Sequence, residues 1–417
     1  MQKLVINGEK RLCGELKVQG AKNSALPLLA ACMLVNGETR LTNCPRLSDV
    51  FAAVRILGCL GCKCSVSGDS VTVSAQQPCG CCVPEELMRE MRSSIVFLGA
   101  VLGRVGECML SFPGGCELGP RPIDMHLFAL RKMGAVITEQ HGELMCSCPV
   151  GLHGADITLP FPSVGATENI ILAAALADGD TIIKNAAREP EITDLANFLL
   201  RCGARISGAG SDTITVRGVQ SLHGCEYSVM PDRIAACTYL TAAAITGGEI
   251  TLTGAEASDL DSFLKVLELS GCSVYTYSDR IFLSGTPTLR PVGMVRTMPY
   301  PGFPTDAQAL ATALLTKARG TSVIVETIFE NRFHHVSELV RMGANIRVEG
   351  KVAIIEGVKD LYGANVMAAD LRGGAALVLA GLAAQGTTTV SNIRLIDRGY
   401  EEIEKALASL GADIERK

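Results

Sequence analysis

The sequence predicts an α+β protein of two domains, each an inside-out α/β barrel with its helices buried and its sheets outside. Three observations lead there. Two landmarks recur six times along the 417 residues, with a period of about 70 residues. The helix in each copy is apolar nearly all round, which suits burial rather than a surface. The hairpin in each copy alternates polar and apolar residues, which suits a sheet with one wet face. A chain of this length also exceeds one ordinary core, so two domains of about 200 residues are expected.

The first landmark is an Ala/Leu-rich helix ending in Gly, then a polar residue and a strand. Its copies are Leu28-Ala31-Val35-Gly37-Glu38-Thr39, Phe97-Val101-Gly106-Glu107, Leu172-Ala177-Gly179-Asp180-Thr181, Tyr239-Ile245-Gly248-Glu249-Ile250, Leu310-Leu315-Gly320-Thr321 and Leu377-Ala383-Gly386-Thr387. Gly just past the helix explains each stop. The run Ala375–Leu382 shows how apolar these helices are.

The second landmark is a helix ending Leu-Gly-Ala or similar, followed by a hairpin. It occurs at Leu60-Gly61-Cys62, Met133-Gly134-Ala135, Cys202-Gly203-Ala204, Ser270-Gly271-Cys272, Met342-Gly343-Ala344 and Leu410-Gly411-Ala412. In the third copy the strands are Ala204–Ser207 and Ile214–Val216, and in the fifth Asn345–Val348 and Ala353–Ile355.

The sixth copy is cut short at Lys417. Its missing return strand has a counterpart at the other end. Leu4-Val5-Ile6-Asn7-Gly8 matches Ile354-Ile355-Glu356-Gly357 and Thr215-Val216-Arg217-Gly218. Residues 1 to about 20 are therefore expected to complete the last βαβαββ-type repeat. This gives three repeats to each domain, one of residues 22–230 and one of 1–21 with 231–417. Linkers near 20–22 and 228–232 would form a hinge, with a cleft between the lobes.

Composition narrows the function. The net charge of −5 argues against a general nucleic-acid binder. The N-terminus lacks the apolar stretch of a signal peptide, and the run Ala25–Val35 is too short to span a bilayer. Seventeen cysteines at irregular spacing do not read as a disulfide framework, so a reduced, cytoplasmic setting is expected. Cys59, Cys62 and Cys64, and Cys79, Cys81 and Cys82, have spacings that could suit zinc. Other copies carry Ala and Ile at the first group, so core substitution is the expectation, and no metal.

Cys116 stands out from the other thiols. It sits in Pro113-Gly114-Gly115-Cys116-Glu117-Leu118-Gly119-Pro120-Arg121-Pro122, a turn-forming loop with a cation five residues on. A mobile thiol near a guanidinium suits chemistry on an anion. Basic residues lie before the buried helices or in connecting loops: Lys22, Arg92, Arg121, Arg233, Arg332, Arg372 and Arg398. Any one alone is most simply a solvated charge, but their recurrence at similar repeat positions points them at one cleft. Asp306 and Asp370 each begin a helix, so each reads either as an N-cap or as a general base.

Seven ordered blocks carry a resemblance over essentially the whole chain. They are Lys22-Asn23 after Gly20, the loop from Pro113 to His126, Ser163–Thr167, Ala187–Ile192, Pro301–Asp306, Glu330–Phe333 and Asp397–Glu401. Together they resemble the UDP-N-acetylglucosamine enolpyruvyl transferases. The resemblance implies a two-lobed fold of six repeats with buried helices. It also implies transfer of the enolpyruvyl group of phosphoenolpyruvate to the 3′-hydroxyl of UDP-N-acetylglucosamine, with loss of phosphate. That is the first committed step of peptidoglycan synthesis, and it needs no cofactor or metal. No membrane, nucleic-acid or obligate protein partner is expected.

By the same resemblance, Lys22, Arg121 and Arg398 hold phosphoenolpyruvate, with Arg92, Arg332 and Arg372 nearby. Cys116 is the loop thiol that acts as acid or adds to C2. Asp306 orients and deprotonates the sugar hydroxyl, and Asp370 assists proton transfer. Asn23, Arg121, Pro122, Ile123, Asp124, Met125, Ser163, Val164, Gly165 and Ile328 hold the nucleotide sugar. The segment Leu159-Pro160-Phe161-Pro162 lacks a basic residue that some relatives carry, so no phosphate contact is assigned there. The shikimate-branch enolpyruvyl transferases share fold and donor but lack the Cys-bearing loop. A non-catalytic repeat scaffold would leave Lys22, Cys116, Asp306 and Arg398 unexplained.

Overall fold

The computed structural model describes residues 2–76, 80–111 and 123–417, with the side chain of Arg92 outside that description. The described residues fall into two compact units, one of residues up to 19 with those from 231 to 417, the other from 20 to 230. Each unit has its own apolar core. The architecture is α+β with mixed sheets.

In the unit 20–230, helices Lys22–Cys32, Phe97–Val105 and Val164–Ala174 are buried along most of their length, Ser24 through Cys32 in the first case and Phe97 through Leu102 in the second. Phe97–Val105 packs on both of the others. Small residues permit the approach. A Cβ at Gly99 would lie 2.3 Å from the carbonyl oxygen of Asn169, so only glycine lets these two backbones meet. Amphipathic helices Ser48–Cys59 and Pro190–Arg201 pack on Lys22–Cys32, and Asp124–Lys132 packs on Val164–Ala174.

In the other unit, helices Arg233–Thr246, Gln308–Leu315 and Leu371–Leu382 pack against one another pairwise. In the last of these every residue from Arg372 to Leu382 is buried, which explains its lack of a polar face. Helix Arg233–Thr246 ends on Gly247 at φ +65°. Of the six glycines expected to stop these helices, only Gly106 is the left-handed cap. Lys22–Cys32, Val164–Ala174, Gln308–Leu315 and Leu371–Leu382 end earlier, on Met33, Ala175, Thr316 and Ala383, and Arg233–Thr246 ends one residue before Gly248. The left-handed residue is the glycine before it, and Gly248 donates its N–H to Ala243 O at 2.8 Å.

Among the described residues there are six four-stranded sheets, three within each unit, and all share one pattern. A parallel pair is followed by two antiparallel neighbours. Asp156–Thr158 runs parallel to Asp180–Lys184, which pairs antiparallel with Thr213–Arg217 and that with Arg205–Ser207. The strand Leu4–Asn7 lies between Thr387–Ser391 and Asp413–Arg416, antiparallel to both, with Leu4 opposite Val390 and Arg416.

One helix stop recurs six times. Gly61, Gly134, Gly203, Gly271, Gly343 and Gly411 have φ of +89°, +97°, +97°, +96°, +93° and +96°. In each case the next residue donates its N–H to a leucine carbonyl five residues back: Cys62 to Leu57, Ala135 to Leu130, Ala204 to Leu199, Cys272 to Leu267, Ala344 to Leu339 and Ala412 to Leu407. This is the Schellman closure. It satisfies a helix-end carbonyl and turns the chain straight into its next strand.

Candidate active site

The helix Gln308–Leu315 is preceded by a short 3₁₀ turn, Thr305–Ala307. Asp306 lies in that turn, and its carboxylate meets two arginines. Arg332 Nη2 donates to Oδ1 at 2.7 Å, and Arg372 Nη2 lies 3.5 Å from Oδ2. Arg332 and Arg372 are 3% and 2% exposed, whereas Asp306 is 30% exposed. Two buried cations thus face one half-open carboxylate. Arg332 also donates Nε to Thr305 O at 3.3 Å and lies over the Phe329 ring. Arg372 lies over the Tyr400 ring, whose hydroxyl is 2.8 Å from Thr238 Oγ1. Nε of Arg372 also lies 3.5 Å from Asp306 Oδ2, and its Nη1 is buried without a hydrogen-bond acceptor.

Asp370 resolves the other way. It is the N-cap of Leu371–Leu382, and Oδ1 accepts from the N–H of Arg372 at 3.0 Å and Gly373 at 2.9 Å. Its Oδ2 remains buried with no hydrogen-bond partner. Asp370 is therefore a cap with one carboxyl oxygen to spare. His335 is buried nearby, its ring nitrogens without hydrogen-bond partners. Burial pushes it down to about 4, against the pull of the Asp370 carboxylate, so the imidazole is neutral at pH 7.

Sequence reasoning missed Glu326. This buried carboxylate accepts from Thr297 Oγ1 at 2.9 Å, Thr305 Oγ1 at 2.9 Å, Ile328 N at 2.8 Å and Phe329 N at 3.1 Å. It ties Ile328 to the turn that carries Asp306. A Glu in a strand-like run, Thr321 to Thr327, gave no local sign of burial. Arg398 lies half-buried in the turn before Tyr400. Gln19 braces that turn, donating to Gly399 O at 3.1 Å and accepting from Glu401 N at 2.9 Å.

In the unit 20–230, Lys22 and Asn23 open the helix Lys22–Cys32. Lys22 Nζ lies 3.4 Å from Asp49 Oδ2, a buried partner that the sequence did not reveal. The next residue, Ser24, donates to Asp194, which also accepts from Tyr227 OH at 2.7 Å and Met230 N at 3.3 Å. Ser163 caps Val164–Ala174 through Ala166 N at 3.4 Å, which places Val164 and Gly165 in the first turn. Ile123 is the residue before helix Asp124–Lys132, and Asp124 and Met125 begin it.

Asn169 joins these elements. Its Oδ1 accepts from Gly99 N at 2.6 Å, and its Nδ2 donates to Ile95 O at 2.9 Å and to His126 Nδ1 at 2.7 Å. Those partners fix the amide, so His126 accepts on Nδ1 and carries its proton on Nε2. Burial pushes His126 down to about 4, partly offset by Asp124.

Cys116, Arg121, Pro122 and the Arg92 side chain lie outside the described residues. Among the described residues, no group of three or more His, Cys, Asp or Glu is placed to hold a metal ion. Cys62 is buried and pushed up to about 12 by desolvation, the behaviour of a core thiol. No described helix is long and apolar enough to cross a membrane.

The family profile described as EPSP synthase (3-phosphoshikimate 1-carboxyvinyltransferase) matches residues 6–407. The chain belongs to this family. Within the EPSP synthase family it is similar to proteins of a second description. UDP-N-acetylglucosamine 1-carboxyvinyltransferase 2 of Caldanaerobacter subterraneus subsp. tengcongensis is 53% identical over all of both chains. UDP-N-acetylglucosamine 1-carboxyvinyltransferase of Nitratidesulfovibrio vulgaris is 49% identical, again over all of both chains. Among solved structures, the enolpyruvyl transferase NikO from Streptomyces tendae matches with a TM-score of 0.90 at 25% identity, covering 100% of this chain and 99% of that one. EPSP synthase from Acinetobacter baumannii matches in fold, with a TM-score of 0.76 at 20% identity over all of both chains. Like its relatives, this member of the EPSP synthase family is a transferase.

Proposed function

We infer that this chain is a UDP-N-acetylglucosamine 1-carboxyvinyltransferase. It moves the enolpyruvyl group of phosphoenolpyruvate to the 3′-hydroxyl of UDP-N-acetylglucosamine and releases phosphate, the first committed step of peptidoglycan synthesis. Full-length identity of 53% to a protein of that name carries the inference. Its site supports the same chemistry through Asp306, a half-open carboxylate backed by two buried guanidinium groups.

The reaction adds the sugar oxygen to C2 of phosphoenolpyruvate and a proton to C3. It then breaks the C2–O bond to phosphate as a proton leaves C3. C2 becomes cation-like once C3 is protonated, so a base for the hydroxyl and an acid for C3 are both needed. In this reading Asp306 takes the hydroxyl proton. Arg332 and Arg372 hold that carboxylate in place from their buried positions.

Lys22, Arg121 and Arg398, with Arg92, Arg332 and Arg372, hold phosphoenolpyruvate and offset its charge. Cys116 is the loop acid or nucleophile, and Asp370 assists proton transfer through its spare Oδ2. Asn23, Arg121 to Met125, Ser163 to Gly165 and Ile328 hold the nucleotide sugar. The finer architecture belongs to the same proposal: six repeats, three in each inside-out barrel, with domains 22–230 and 1–21 with 231–417. So does a cytoplasmic site of action. Mass spectrometry of the product tests the reaction. An enolpyruvyl ether of UDP-N-acetylglucosamine supports it, and unchanged nucleotide sugar sinks it.

A further inference from the structure

We propose that Glu326 is a positioning residue of the transfer, holding the turn that carries Asp306 and the segment that carries Ile328 in one register. The proposal rests on the functional reading above. Glu326 is 1% exposed, and no cation is paired with it among the described contacts. Four donors converge on it instead. Oε2 accepts from Thr305 Oγ1 at 2.9 Å. Oε1 accepts from Thr297 Oγ1 at 2.9 Å, Ile328 N at 2.8 Å and Phe329 N at 3.1 Å. A carboxylate can accept about four hydrogen bonds, and bonds to a charged acceptor are roughly twice as strong as neutral ones. Burying that charge is tolerable only because the donors are in place.

The arrangement reaches the chemistry from two sides. Thr305 is the residue before Asp306, and its carbonyl oxygen accepts from Arg332 Nε at 3.3 Å. Phe329, held by its N–H, presents its ring to the Arg332 guanidinium, 5.6 Å from the ring centre. Thr297 is tied in as well, since its Oγ1 accepts from Thr327 N at 2.8 Å. Through these bonds one side chain sets the base, one of its arginines and a nucleotide-sugar contact. Glu326 itself touches none of the reacting atoms in this account. Its effect on rate comes from where it puts Asp306, and a displacement of about 1 Å at a catalytic group can cost ~10²-fold.

The test compares Thr305→Val, Glu326→Gln and Glu326→Ala with the unmodified chain. It measures kcat, both KM values, the folded fraction, and hydrogen exchange of peptides covering 303–307 and 326–332. Glu326→Ala is expected to lower kcat by about 10²-fold and to raise KM for UDP-N-acetylglucosamine. Thr305→Val, which cuts only the link to Asp306, is expected to lower kcat by about 10-fold with KM for the sugar little changed. Glu326→Gln keeps an acceptor for the two N–H groups and a donor for Thr305, and should recover most of the rate.

Normal kcat per folded molecule in both Glu326→Ala and Thr305→Val would overturn the proposal, leaving Glu326 a role in stability alone. Should Glu326→Ala not fold, Thr305→Val decides. Should the unmodified chain release no phosphate, the functional reading fails by itself. The positioning claim is then judged on exchange in Thr305→Val. Lost protection around Asp306 supports it, and unchanged protection overturns it.

Discussion

Arg332 donates to Asp306 at 2.7 Å from a position only 3% exposed, while the carboxylate it holds is 30% exposed. A buried guanidinium cannot move to solvent cheaply, so the carboxylate is fixed from behind and open in front. Asp306→Asn keeps an acceptor for Arg332 but removes the group proposed as the base for the sugar hydroxyl. The expected result is a loss of kcat of about 10²–10⁴-fold with KM values within a few-fold. Steady-state kinetics on the folded protein checks it, and a near-normal kcat would exclude Asp306 as the base.

Arg372 is the second cation, its guanidinium carbon 5.3 Å from the centre of the Tyr400 ring and its Nε 3.5 Å from Asp306 Oδ2. Lysine keeps the charge but loses the stacking plane and the fork of donors. Arg372→Lys should raise KM for phosphoenolpyruvate by about 10-fold or more, with KM for the nucleotide sugar much less affected. Equal effects on both substrates would argue against a role at the donor anion.

The two buried histidines give the fold an acid limit. His126 and His335 are both pushed down to about 4 by burial, so the folded state holds them neutral while the unfolded chain protonates near 6.5. Between those values the unfolded state binds more protons, so stability rises with pH and is lost as pH falls from about 6.5 towards 4. For His126 alone the shift corresponds to about 3 kcal/mol at most. Urea midpoints at pH 7 and pH 4.5 measure the loss. Equal midpoints would mean that the imidazoles find partners when charged.

Much of this fold was written in local chemistry. The Leu-Gly-Ala landmarks are the six left-handed glycines, and the hairpins after them pair as antiparallel strands, as in Arg205–Ser207 with Thr213–Arg217. Apolar helices such as Ala375–Leu382 are buried because they have no other face to offer. Less of the site was legible. Asp306 and Asp370 look alike in sequence, each an acid at a helix start. One pairs with arginines 26 and 66 residues away, and the other caps its own helix. Glu326, Asp49 and Asp194 gave no signal, because a buried acid differs from a surface acid only in partners remote in sequence. Cys116 is singled out by its loop composition alone, and its placement lies outside the described residues.

The recurrent helix stop makes a paired prediction with opposite signs. Gly271 sits at φ +96°, and the nearest atom to an added Cβ is 3.5 Å away, so Gly271→Ala meets strain rather than a clash. It should destabilise by about 1–2 kcal/mol. Gly58 lies in the last turn of helix Ser48–Cys59 with nothing within 4 Å of an added Cβ. Gly58→Ala should stabilise by up to about 1 kcal/mol. Chemical denaturation of both variants checks the contrast, and the same sign in both would contradict it.

Fosfomycin, a small phosphonate epoxide, should alkylate Cys116 in the presence of UDP-N-acetylglucosamine, and Cys116→Ser should abolish the adduct. Peptide mapping must place the mass on Cys116 among the 17 cysteines. A label elsewhere would remove the loop thiol from the account.

The most direct test of the central claim is phosphate release from phosphoenolpyruvate with UDP-N-acetylglucosamine, with shikimate 3-phosphate, or with no acceptor. Release that depends on the nucleotide sugar alone is the predicted result. Release with shikimate 3-phosphate instead, or with neither acceptor, would contradict it.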